Sequence, residues 1–192
     1  MPPSDTELML AFRTGDREAF QGLVERYAKP LIAFFHRLTW DRETSEDLAQ
    51  EVFLHLYRFK GRYTVKAKFS TFLFTIARNC YRDHNRRVRR RLHPVSLDAR
   101  SLSSDDETSL GDRIPVEEPP PEATAVRNET MTRLRRAIEA LTPDLRMVFV
   151  LCEENGLSYA EVAEVMEIPI GTVKSRLFTA TRKLRDRLGT GA

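Results

Sequence analysis

Residues 158–177 read Ser158-Tyr-Ala-Glu-Val-Ala-Glu-Val-Met-Glu-Ile-Pro-Ile-Gly-Thr-Val-Lys-Ser-Arg-Leu177, and their pattern decides the fold of this part of the chain. Ser158 followed three residues later by Glu161 is a capping box, the signature of a helix start. Tyr159, Val162, Ala163 and Met166 then fall at i, i+3, i+4 and i+7, which predicts a short helix with one buried face. Glu167-Ile168-Pro169 ends it, because the residue before a proline is pushed out of helical conformation. A longer helix follows from about Ile170 to Leu188, with Ile170, Val173, Leu177, Ala180, Leu184 and Leu188 as its apolar stripe. A short helix, a tight break and a longer basic helix have the form of a helix-turn-helix, whose second helix enters the major groove of DNA.

At about 100° per residue, Thr172, Ser175, Phe178, Thr179 and Arg182 point away from that stripe, with Lys174 and Arg176 on its flanks. These side chains suit base edges and phosphates. Phe178 is the informative one, since folding gives no reason for an aromatic ring on the solvent side of a helix, whereas a thymine methyl does. The competing reading is a basic amphipathic helix packed on its own domain with a solvated face. Upstream, Met131, Leu134, Ile138 and Leu141, then Leu145, Val148, Phe149 and Cys152, predict two further helices. Thr142 is the expected cap of the second and Pro143 its first residue, where a missing N–H costs nothing. Gly156 is a stop signal.

The formal charge of the 192-residue chain is only +3, but it is unevenly distributed. Residues 1–92 carry 18 Lys and Arg against 11 Asp and Glu, residues 93–126 carry 2 against 8, and residues 127–192 carry 11 against 9. The acidic middle also holds Pro94, Pro115, Pro119, Pro120 and Pro121 and the serines of 101–104, the composition of a flexible linker. It reads either as a solvated spacer or as a nucleic-acid mimic that shields basic surfaces. The expected architecture is all-α: two small helical domains, 5–92 and 127–188, joined by the acidic linker 93–126.

Two helices stand out in the first domain. Asp41 to Arg58 places Leu48, Ala49, Val52, Phe53 and Leu56 inward and Asp47, Gln50, Glu51, Leu54 and Arg58 outward. Thr44 with Asp47 reads as a capping box, which accounts for part of the acidity but not for Leu54. An acidic face with an exposed leucine fits either a docking surface for a basic helical partner or a merely solvated face. From Phe69 to about Arg87, the residues Phe69, Phe72, Leu73, Ile76, Ala77 and Cys80 form a buried stripe, opposite Thr71, Thr75, Arg78, Asn79, Arg82 and Arg86. Residues 82–91 hold six Arg and one Asp, a density that suits a phosphate backbone. Tyr63, on the preceding loop, is placed to stack on an unpaired base.

Several classes of function are excluded or disfavoured. No apolar run approaches the roughly 18–20 residues of a bilayer span, and Met1 to Leu10 has no secretory pattern, so membrane insertion is not expected and the cytoplasm is. Cys80 and Cys152 have no ligand-spaced partner, and His36, His55, His84 and His93 are scattered, so neither a metal site nor a cofactor is expected. A nuclease built on Asp83, His84 and Asn85 lacks a second carboxylate for a metal.

The segments Asp47-Leu-Ala-Gln-Glu-Val-Phe53, Phe69-Ser-Thr-Phe-Leu-Phe-Thr-Ile-Ala-Arg-Asn79, Leu157-Ser-Tyr-Ala-Glu-Val-Ala163 and Pro169-Ile-Gly-Thr-Val-Lys-Ser-Arg-Leu177 together resemble the bacterial extracytoplasmic-function sigma factors, in the order that family has them. The resemblance implies a protein without covalent chemistry that binds core RNA polymerase and directs it to the promoters of a specialised regulon. The first domain would dock on the polymerase clamp helices through Asp47, Gln50, Glu51, Phe53 and Leu54. It would melt the minus-ten element with Tyr63, Phe69, Phe72, Arg78, Asn79, Arg82 and Arg86. The second would sit on the polymerase flap and read the minus-thirty-five duplex with Thr172, Lys174, Ser175, Arg176, Phe178 and Arg182. An anti-sigma protein is a further partner of the kind the family uses. Phe72 stands where the family usually has Trp, and Thr179 and Thr181 occupy a stretch often rich in Arg. The alternative from another class is a free-standing helix-turn-helix regulator that binds an operator without polymerase, which leaves the Arg-rich helix and the acidic docking face unexplained.

Overall fold

The computed structural model describes residues 2–65, 68–92 and 121–189, with side chains described in 2–65, 68–90 and 130–189. Among the described residues all regular structure is helical. The first half contains α1 (Asp5–Thr14), α2 (Arg17–Thr39), α3 (Arg42–Phe59) and α4 (Phe69–Leu92); the second contains α5 (Pro121–Glu139), α6 (Pro143–Phe149), α7 (Tyr159–Met166) and α8 (Ile170–Gly189). The linker readings for 93–120 fall outside the described residues. Helix α5 begins at Pro121, earlier than the composition indicated, and proline is well suited to a first helical position.

Local chemistry sets the boundaries. Ser4 and Glu7 form a reciprocal capping box on α1, and Gly15, at φ 113°, closes that helix in the left-handed region. Asp16 caps α2 by accepting from the backbone N–H groups of Glu18 and Ala19. The expected Thr44–Asp47 box does not form: the cap of α3 is Asp41, whose carboxylate accepts from the Thr44 N–H at 2.9 Å. The Thr44 side chain and then this backbone bond hold the Asp41 carboxyl below its ordinary range. Thr142 stands at the cap of α6 without a side-chain bond, leaving Pro143 to start the helix. The Ser158–Glu161 box on α7 is present as read, and Glu167 ends that helix at φ 57°. Between α6 and α7 the helix widens into a π turn over Val150–Glu154, where Asn155 donates both its backbone N–H and its side-chain amide to the Val150 carbonyl.

The two halves pack against each other. Leu23, Phe34, Phe35, Val52, Leu56 and Leu73 of the first half share one continuous core with Val148, Leu151, Val162, Val165 and Val173 of the second. A smaller cluster of Ala137, Ile138, Leu141, Ala180 and Leu184 joins α5 to α8, with Trp40 packed against it from the end of α2. Burying one such aliphatic side chain contributes about 1.5–3 kcal/mol. Polar contacts fasten the rim: Arg37 meets Glu154 at 2.9 Å, Lys68 meets Glu161 at 3.1 Å, and Arg146 donates to the Leu38 carbonyl at 3.1 Å. Arg135 lies over the Trp40 ring at 5.1 Å from its centre.

Some apolar positions lie outside the core that periodicity assigned them. Tyr159 and Ile170 open α7 and α8 and stand exposed, as do Met131 and Leu188. Tyr159, Ile170 and Leu188 sit at helix ends, which protrude beyond the neighbours that cover the middle turns; Met131 lies mid-way along α5, and its exposure has no such explanation.

Candidate nucleic-acid and polymerase interface

Helix α8 carries the best-defined face. Val173, Leu177, Ala180 and Leu184 are buried, while Lys174, Ser175, Phe178 and Arg182 are exposed and Thr172 and Arg176 are intermediate. Phe178 is 69% exposed, the most exposed large apolar side chain among the described residues. The Ser175 hydroxyl donates to the Thr172 carbonyl and that of Thr179 to the Ser175 carbonyl, so both are held along the helix. Arg176 pairs with Asp144 of α6 at 2.9 Å. A base or phosphate recruiting Arg176 must compete with that carboxylate.

On α3, Asp47, Gln50 and Leu54 are exposed, and Leu54 is 57% accessible. Tyr57, three residues on and 48% exposed, extends the same face; the i, i+3 spacing from Leu54 was the signal for it. Phe53 is half-buried, its ring edge-on to Phe20 at 6.4 Å, so it supports the face from behind. Glu51 is engaged, with Arg87 at 2.9 Å and His55 at 3.8 Å.

Helix α4 departs furthest from the expected two-faced helix. Tyr63 is 1% exposed; its ring packs 5.4 Å from Phe72 and 6.1 Å from Phe69, and its carbonyl accepts from Arg13. It belongs to the core in this arrangement and is not free to stack on a base. Phe69 is likewise buried, edge-on to Tyr27, and Phe72 is half-buried. Thr71 and Arg78, assigned to the exposed face, are 1% and 8% exposed. The Arg78 guanidinium donates to the Val165 carbonyl and pairs with Glu167 at 3.2 Å. The reason is tertiary: α7 packs on the side of α4 that periodicity left for solvent. Asn79 is also partly covered, and its side-chain oxygen is buried without a partner. Arg82, Arg86, Arg87, Arg89 and Arg90 remain exposed.

Between the halves lies a cleft lined by Arg78, Arg82, Arg86, Arg89, Arg90 and Arg176, with Asp144 on its far wall. The α4 arginines therefore line a basic cleft whose other side carries the Arg176–Asp144 pair, a geometry that attracts a polyanion. The surroundings of both cysteines favour the protonated thiol: burial, with the Glu51 and Asp83 carboxylates nearby, pushes the Cys80 thiol up to about 12, and burial and Glu153 raise that of Cys152 to about 11.

Comparison with known proteins fits this geometry. Residues 23–91 match the sigma-70 region 2 family and residues 131–184 match sigma-70, region 4. The chain is 34% identical over 184 residues to the RNA polymerase sigma-H factor of Pseudomonas aeruginosa, covering 96% of this chain and 93% of that one. The ECF RNA polymerase sigma-E factor of Escherichia coli K12 is 31% identical over 185 residues, covering 96% of this chain and 94% of that one. The chain belongs to the extracytoplasmic-function sigma factors. Among solved structures, CnrH in complex with the cytosolic domain of CnrY shares the fold at a TM-score of 0.71 with 22% identity, covering 99% of this chain and 100% of that one. The sigma factor RpoE of Bartonella quintana, in complex with the anti-sigma factor NepR, shares it at 0.66 with 22% identity, covering 90% and 98%. This sigma factor directs transcription initiation by RNA polymerase. No described helix is long and apolar enough to cross a membrane.

Proposed function

We propose that the two halves divide the work of initiation. The α3 face around Asp47, Gln50, Leu54 and Tyr57 docks on the clamp helices of core polymerase, backed by Phe53 and Glu51. Asn79, Arg82 and Arg86 of α4 engage the opened minus-ten strand. Helix α8 reads the minus-thirty-five duplex through Thr172, Lys174, Ser175, Phe178 and Arg182, with Arg176 recruited from Asp144. The observation that carries this reading is the exposure of Phe178 at the centre of a basic face, on the second helix of a helix-turn-helix.

The packed arrangement is then a closed state. Contact between α4 and α7 covers Arg78, and Arg176 is turned into the cleft against Asp144, so freeing both arginines for the promoter requires the halves to part. Polymerase, with separate sites for the two halves, supplies the free energy for opening. An anti-sigma protein that binds the closed state would hold the factor inactive. The protein works in the cytoplasm and carries out no covalent chemistry of its own.

Transcription in vitro by core polymerase with and without this chain, followed by sequencing of the transcript starts, tests the reading. New starts that depend on this chain and share two spaced elements are the expected result. Tight operator binding at physiological salt by the chain alone, with no association with core, would favour a free-standing regulator.

A further inference from the structure

Helices α3 and α4 bring together three groups that lie apart in the sequence. Glu51 and His55 are one turn apart on α3, and Cys80 faces them from α4. A carboxylate oxygen, a ring nitrogen and the sulfur lie within 4.8 Å of one another. The sulfur is buried and the other two are partly covered. The three line a cavity of about 240 Å³ whose wall also includes Asn79 and Asp83. The Asn79 side-chain oxygen is buried with no hydrogen-bond partner, an independent sign that this pocket is an incomplete polar environment, since such an atom ordinarily finds a donor or a cation.

We propose that Glu51, His55 and Cys80 form a binding site for a divalent transition metal of the zinc class, clamping α3 to α4. Thiolate, imidazole and carboxylate are the three donor types zinc uses, at about 2.0–2.3 Å. Tetrahedral bonds of that length put donor atoms roughly 3.3–3.8 Å apart, so rotations about the side chains of Glu51 and His55 close the remaining gap without moving the backbone. The fourth position faces the cavity, with Asp83 or water available to fill it. Arg87 now holds the Glu51 carboxylate at 2.9 Å, and two things oppose binding: the charge of Arg87, and the protonated state of the buried Cys80 thiol, whose proton the metal displaces to solvent as the sulfur–metal bond forms. Arg87 is an exposed side chain near the end of α4 and swings into solvent when the metal takes that oxygen. Metal binding therefore changes the partner of a residue on the rear of the polymerase-facing helix and frees an arginine on the strand-facing helix.

Cobalt(II) is the probe, because a cobalt–thiolate bond gives an intense charge-transfer absorption that carboxylates and imidazoles alone do not. Full-length protein, reduced with a non-thiol reductant, is titrated with cobalt(II) and then with zinc(II). The expected result is a charge-transfer band that saturates at one equivalent and is bleached by zinc. Cys80→Ser abolishes the band, His55→Gln weakens cobalt binding at least tenfold, and Cys152→Ser leaves both unchanged. Because Cys80 is buried, circular dichroism checks the folding of its variant; His55→Gln, at a partly exposed position, tests the site even if Cys80→Ser does not fold. Zinc should also raise the thermal midpoint of the wild type and not that of His55→Gln. The absence of a charge-transfer band in the wild type overturns the proposal, and so does a band that persists at full strength in His55→Gln.

Discussion

The Arg78 guanidinium lies 3.2 Å from the Glu167 carboxylate, which joins the middle of α4 to the residue that ends α7. Glu167 adopts φ 57°, a left-handed conformation that glutamate tolerates poorly and asparagine better. Glu167→Asn therefore removes the charge while easing the backbone. Because Glu167 is largely exposed, loss of the pair should cost no more than about 1 kcal/mol, and Arg78 keeps its bond to the Val165 carbonyl. If this contact helps hold the closed state, the free variant should bind a single-stranded minus-ten oligonucleotide several-fold more tightly than the wild type, measured by fluorescence anisotropy. Equal affinities would show that closure does not limit access to α4.

Docking on polymerase is tested on residues that serve no structural purpose. Asp47 is exposed and is not the cap of α3, because Asp41 fills that role. Asp47→Arg combined with Leu54→Glu should thus leave the thermal midpoint nearly unchanged. Most interface residues cost less than about 1 kcal/mol when merely truncated, but here a charge is reversed and a carboxylate replaces an apolar contact, which adds like-charge repulsion and desolvation, so association with core should weaken at least tenfold. Co-purification with core and transcription together measure it; normal values for both would move the docking face elsewhere.

The roles on α8 separate by selectivity. Phe178→Ala should change stability by less than about 0.5 kcal/mol, as expected for an exposed position, yet reduce transcription from promoters that depend on a minus-thirty-five element. Lys174→Ala should weaken all such promoters alike if the ammonium contacts phosphate, whereas a base contact would relax one position at about 1–3 kcal/mol. A set of single-base promoter variants distinguishes the two.

The helix-turn-helix was legible because its signals are local. The Ser158–Glu161 box, the break at Glu167 to Pro169 and the spacing of Val173, Leu177, Ala180 and Leu184 need no distant partner. Helix α4 was misread for the converse reason. Periodicity divides a helix into one inward and one outward face, and α4 is packed on two sides, so Thr71 and Arg78 are buried, Arg78 against Val165 and Glu167 far along the chain. Tyr63 was assigned from loop composition, but its burial depends on Phe69, Phe72 and Arg13 meeting it in space. The Glu51–His55–Cys80 cluster was invisible for the same reason, since ligand spacing along one segment finds only sites built within that segment.

His36 should give folding stability a pH dependence. Burial, then the charges of Arg37 and Arg135, lower its pKa below the ordinary 6.5, with Asp41 opposing. A folded-state pKa below the unfolded one contributes stability that is present above the unfolded value and is lost as pH falls through the folded one. The thermal midpoint should therefore begin to drop as pH falls below about 6.5, before the carboxylates titrate. His36→Gln should flatten that part of the profile. An unchanged profile would remove His36 as the source.

The last test concerns strand opening, which separates a sigma factor from a reader of duplex alone. The Asn79 side-chain oxygen is buried without a partner in the closed state, so Asn79→Ala removes an unsatisfied polar atom and should not lower the thermal midpoint. Its amide, in the wall of the cavity between α3 and α4, offers a donor and an acceptor to the edge of an unstacked base that enters there. Extruding a base costs a few kcal/mol, which capture must offset. Asn79→Ala should thus slow open-complex formation on duplex promoters while sparing association with core, and a template with the minus-ten bases already unpaired should recover much of the activity. Permanganate footprinting over time follows the opening directly. A variant that opens duplex promoters at the wild-type rate would place the base pocket elsewhere on α4, with Arg82 and Arg86 as the next residues to substitute.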